Sequence, residues 1–117
     1  MNELIENILS NFTIKGRKIP YAFVYYRGNA SQYITYNNVS KGNSYYNDNE
    51  LSNYVDYYDF DIYSKSNYLD IEKGLKEILE QNNFEWQPSM TSSDMYEEDT
   101  GFFHKTLCFA YIRSKED

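Results

Sequence analysis

The spacing of apolar positions changes period several times along this chain, and each change predicts an element. Leu4, Ile5, Ile8, Leu9 and Phe12 recur at helical spacing, which predicts an amphipathic N-terminal helix over residues 1–12. Gly16 is expected to end it, and Pro20 to mark the entry to the next element. "YAFVYYR" (21–27) is a β-type run that is apolar on both faces. Gly28 and Asn29 supply turn chemistry before "QYITYN" (32–37), so these two runs are expected to form a β-hairpin. Residues 38–53, "NVSKGNSYYNDNELSN", lose all periodicity and read as a long flexible loop.

Strict alternation then begins. In "YVDYYDFDIYS" (54–64), Tyr54, Asp56, Tyr58, Phe60 and Ile62 share one face, while Val55, Tyr57, Asp59, Asp61 and Tyr63 share the other. A strand with one packed face and one wet or partner-facing face is expected. Over residues 68–83 the period returns to that of a helix, with Ile71, Leu75, Ile78 and Leu79 as its stripe. Asn67 is the expected N-cap, with Asp70 three residues on, as in a capping box. Gly74 costs such a helix about 1 kcal/mol relative to alanine, which points to close packing on the sheet. "FEWQPS" (84–89) reads as a short strand and "FFHKTLCFAYIR" (102–113) as a long one. The expected fold is α+β in a single domain, 1–117. It has a mostly antiparallel β-sheet, two helices packed on one face, and a long loop between strands 2 and 3.

Composition sharpens this picture. In 117 residues, 41% are hydrophobic, and 14 of them are tyrosines. Tyrosine packs well but keeps a hydroxyl that needs water or a partner, which suits half-buried sheet faces and protein interfaces. The net charge of −7 disfavours affinity for nucleic acid, because phosphate binding needs a basic surface. The single cysteine excludes an intrachain disulfide. The N-terminal stretch lacks the basic start and apolar core of a signal peptide, and no segment is apolar enough to span a membrane. Synthesis in a cytoplasm is expected, so the sequon-like triplets at Asn11, Asn29 and Asn38 read as chance.

The most chemistry-like stretch is "SDMYEEDTGFFHK" (93–105), where Asp94, Glu97, Glu98 and Asp99 precede the only histidine, His104. A transition-metal site wants several ligands at fixed spacing, and no second histidine exists. The regular oxygen spacing of a calcium loop is also missing. Asp99 and His104 form an acid–base pair only if the turn brings them together. Cys108 lies about 13 Å along the same strand from His104, too far to use it as a base. Asp59 and Asp61 are paired carboxylates without a recognisable sugar cleft. No phosphate loop, nucleophile elbow or zinc spacing is present, so no cofactor, metal or catalytic residue is expected.

Three segments carry a resemblance: "IPYAFVYYRGNASQYITY", "YVDYYDFDIYSKSNYLDIEKGLKEIL" and "MYEEDTGFFHKTLCFAYIR". Together, over residues 19–112, the chain resembles the tail-terminator or tail-completion (head–tail joining) proteins of long-tailed phages and prophages of Gram-positive bacteria. The resemblance implies a non-enzymatic α+β subunit that forms a ring with itself, typically a hexamer, at the head–tail junction of the virion. Such a ring caps the tail tube protein, meets the head-completion or connector protein, and lets DNA pass without binding it; no membrane is involved. On this reading Tyr57, Asp59, Asp61, Asp94, Glu97, Glu98 and Asp99 are the candidate interface or lumen residues. Lys41, Tyr45, Tyr46 and Asp48 are candidates for an inter-subunit loop. The alternatives are a head-completion or adaptor protein of the connector, an acidic DNA-mimic inhibitor, and last a small hydrolase using Asp99 and His104.

Overall fold

A computed structural model describes residues 2–39, 44–45 and 53–114. Among these residues the chain forms an α+β domain of two helices and a mostly antiparallel sheet. Helix α1 spans Asn2–Ser10 and α2 spans Leu69–Glu80. The strands are β1 (Thr13–Ile14), β2 (Arg17–Lys18), β3 (Tyr21–Phe23), β4 (Gln32–Asn38), β5 (Ser44–Tyr45), β6 (Asn53–Ser64), β7 (Phe84–Trp86), β8 (Met95–Glu97) and β9 (Phe102–Ser114). The main sheet runs β3-β4-β6-β9-β7, with β5 added to β6 and β8 to β9. No helix among the described residues is long and apolar enough to cross a membrane.

The backbone of the sheet is the antiparallel β6–β9 ribbon, paired from Asn53↔Ser114 to Ser64↔Phe103. Direct pairing places Tyr58 opposite Phe109, Phe60 opposite Leu107, and Ile34 of β4 opposite Ile62. These residues share one face and are buried together with Ile5, Ile8 and Leu9 of α1 and Ile71, Leu75 and Leu79 of α2. Aromatic edges lock the centre: Phe60 meets Phe84 and Phe109 in near-perpendicular contacts, with ring centroids 6.1 and 5.6 Å apart. Burying each such side chain contributes about 1.5–3 kcal/mol.

The amphipathic patterns thus produced the elements they predicted, but four local readings change. Gly16 does not end the first helix, which stops at Ser10. With Lys15 (φ 54°) and Gly16 (φ 77°) it forms a two-residue turn joining β1 to β2, and left-handed φ at both positions is what a tight hairpin turn requires. The expected 21–37 hairpin is absent, because β3 pairs with β4 in parallel, Tyr21↔Ile34 to Phe23↔Tyr36. The cause is local: Val24 takes φ 68°, and the Tyr25 N–H donates to the Phe23 carbonyl at 2.7 Å. This γ-turn reverses the chain before residues 24–27 can extend the strand.

The 38–53 stretch is not one continuous loop. Asn38 ends β4, Ser44–Tyr45 pair with Val55 and Tyr54, and Asn53 opens β6. Lys41, Tyr46 and Asp48 lie outside the described residues, and Tyr45 is placed only by its strand pairing. Helix α2 spans Leu69–Glu80 rather than 68–83, with no side-chain cap from its N-cap residue, Tyr68. Asn67 Oδ1 instead accepts from the Leu69 N–H at 2.8 Å, and Asp70 Oδ1 from the Ile71 N–H at 2.7 Å. Gly74 does make a close contact: a Cβ there would lie 2.8 Å from Ile14 Cδ1 and 3.1 Å from the Phe12 ring. Its neighbour is the chain around β1.

Candidate functional site

Strand alternation sends every second side chain of β4, β6 and β9 to the face opposite the core cluster. On β6 these are Tyr57, Asp59, Asp61 and Tyr63, all half-buried. Their cross-strand partners are Ala110, Cys108, Thr106 and His104 on β9, and Asn37, Thr35 and Tyr33 on β4 opposite Asp59, Asp61 and Tyr63. Strand β8 brings Met95 opposite His104 and Glu97 opposite Phe102, and β7 adds Glu85 opposite Ala110.

Aromatic rings form a stack across this face. Tyr26 lies on Tyr33 (4.3 Å between centroids), Tyr33 on Tyr63 (4.8 Å) and Tyr63 on His104 (4.2 Å), with interplanar angles of 24°, 16° and 14°. Phe102 meets Tyr33 and Tyr63 edge-on. Such cross-strand aromatic pairs each contribute about 0.5–1.5 kcal/mol beyond area burial. Each inner ring of the stack has both faces covered by its neighbours.

Carboxylates lie beside the rings. Asp61 accepts from the Thr106 hydroxyl, from Thr35 Oγ1 at 3.4 Å, and meets His104 Nε2 at 3.1 Å. Glu97 lies 3.8 Å from the other ring nitrogen, Nδ1, so a protonated His104 bridges β6 to β8. Burial, then the charge of Asp61, then Tyr33 and Glu97 push the Tyr63 hydroxyl up to about 12. Burial first and the neighbouring Asp61 second also raise Asp59 above the usual carboxylate range, while a hydrogen bond with Cys108 pulls the other way. The Cys108 thiol is itself pushed up to about 11, by burial and then by Asp59.

These values limit the chemistry. An activated cysteine needs a depressed pKa and a nearby base, and Cys108 has the opposite shift with a carboxylate as its partner. His104 is held on both sides by acids and covered by Tyr63, with 18% of its side chain exposed. Among the described residues, no three His, Cys, Asp or Glu side chains converge in a group suited to a metal ion. What this face offers is a row of stacked, half-buried rings beside negative charge, the chemistry of a contact surface.

The structure divides the candidate residues. Tyr57, Asp59, Asp61 and Glu97 meet on this face. Asp94 does not: it accepts from the Tyr68 hydroxyl and lies 3.7 Å from Lys105 Nζ, on the helix side. Glu98 and Asp99 are exposed in the turn between β8 and β9, and the partner of His104 among the acids is Asp61 rather than Asp99. The acidic stretch is therefore a hairpin whose first strand is β8, not only a loop. Sequence reasoning missed Tyr26, Tyr33 and the His104–Asp61 pair, which spans 43 residues. Once β4 and β6 are aligned, alternation alone places Tyr33 beside Tyr63. Comparison of the sequence with protein-family models and with curated proteins finds no match.

Proposed function

We propose that this chain is a structural subunit of virion assembly, a tail-terminator or tail-completion protein whose copies ring the end of a tail tube and meet the head connector. In this reading both helices cover one face of the sheet and leave the other for partners. The observation that supports it most is the second face itself. Three central strands present stacked Tyr33, Tyr63 and His104 beside Asp59, Asp61 and Glu97, while the buried residues of α1 and α2 belong to the core cluster of the other face. Tyrosine-rich, half-buried faces of this kind suit protein contact, where aromatic residues provide most of the binding energy. The exposed Glu98 and Asp99 at the β8–β9 turn are the carboxylates best placed to face passing DNA, which like charge repels rather than holds. The resemblance over residues 19–112 supplies the ring, its six-fold count and its place at the head–tail junction.

Sizing tests the reading. The purified chain, alone and mixed with tail tube protein, is expected to form ring-sized oligomers as concentration rises. A monomer that persists at high concentration even with tube protein present contradicts it.

A further inference from the structure

On the helix side, two acids have basic partners: Glu72 pairs with Lys76 (3.0 Å) and Lys105 (3.3 Å), and Asp94 lies near Lys105. On the opposite face, the strand positions between residues 55 and 112 carry Asp59, Asp61, Glu85 and Glu97 and no lysine or arginine. Lys65, just beyond β6, has its Nζ 5.1 Å from the centre of the Phe102 ring, and Arg27 follows Tyr26, the end ring of the stack. The face is thus left with excess negative charge next to stacked rings, a surface complementary to cationic side chains.

A matching cationic element exists on the same chain. The β1–β2 hairpin places Lys15, Arg17 and Lys18 within four residues of a molecule whose net charge is −7. All three are exposed, and none forms an ion pair with a described residue. The hairpin is held firmly, because Ile14 is buried against α2 at Gly74. That anchor also fixes it on the helix side, so its cations cannot reach the acidic face of their own chain.

We propose that the basic β1–β2 hairpin of one copy docks on the acidic, aromatic sheet face of a second copy. This inference rests on the assembly reading above and gives it a specific subunit contact. Arg17 and the two lysines meet Asp59, Asp61, Glu85 and Glu97 beside the Tyr26–Tyr33–Tyr63 stack. The two surfaces differ and lie on opposite sides of the subunit, so the contact is head-to-tail. Each copy keeps one free donor and one free acceptor, which closes into a ring if the rotation per subunit allows it.

Charge reversal followed by mixing tests this. Two full-length variants are compared by sedimentation velocity: K15E/R17E/K18E, which makes the hairpin acidic, and E85K/E97K, which makes the face basic. All five positions are exposed, so both variants are expected to keep the wild-type melting curve by circular dichroism. Wild type is expected to self-associate at low salt and to weaken as salt screens the contact. Each variant alone is expected to associate roughly tenfold or more weakly. An equimolar mixture recovers association, because the acidic hairpin of one variant then fits the basic face of the other, while its own acidic face accepts the other's basic hairpin. Association of either variant at wild-type strength overturns the proposal, as does a mixture of folded variants that stays dissociated. A wild type that is monomeric alone but oligomerises on tail tube protein overturns this contact and leaves the assembly reading standing.

Discussion

At Cys108 two effects act in the same direction. The side chain is 1% exposed, and both burial and the Asp59 carboxylate disfavour the thiolate. The native protein should therefore resist a thiol-specific reagent at pH 8, with labelling appearing only in denaturant; rapid stoichiometric labelling of the native chain would contradict this placement. The same shift fixes a pH dependence. A thiol raised from 9.0 to about 11 in the folded state stabilises the fold fully below pH 9. That contribution is lost as pH rises through about 11. Tyr63, raised from 10.0 to about 12, adds a second loss between those two values. Melting temperature should thus fall steadily above pH 9. Cys108 as a small packed residue was legible from its apolar neighbours on the strand. Its Asp59 partner, 49 positions away in the chain, becomes visible only once β6 and β9 are paired.

At the level of elements, Gly74 joins helix α2 to the β1–β2 hairpin. Gly74→Ala should stay within about 1 kcal/mol of wild type, since the gain in helix propensity offsets a shift of the Ile14 tip. Gly74→Val adds β-branched bulk against Phe12 and Ile14 and should cost about 2–3 kcal/mol in chemical denaturation. A cost near zero for valine would mean that the hairpin is not pressed on the helix. The helices and the strands of the β6–β9 ribbon were legible because their apolar periods are long and unbroken. The parallel β3–β4 pairing was not, since it depends on one left-handed valine, and no propensity puts a β-branched residue there. Strand β8 was hidden for a different reason. Met95–Glu97 are all exposed, so burial leaves no alternation for a pattern to reveal.

Across the whole molecule, the sheet has two unlike sides. One carries an apolar core cluster that includes buried residues of both helices, and Glu72 there pairs with Lys76 and Lys105. The other keeps its charge unbalanced and its tyrosines stacked but half-exposed. Burial first, and then Asp61 beside it, raises Asp59, a cost that a cationic neighbour would partly relieve. A fold that leaves such a face open suits a subunit completed by contact with others. The place proposed for it is the end of a tail tube. The most direct measurement is electron microscopy of purified tail tubes incubated with the wild-type chain. A ring of added density capping one end of each tube is the predicted result. Tube ends unchanged at saturating protein would contradict the account.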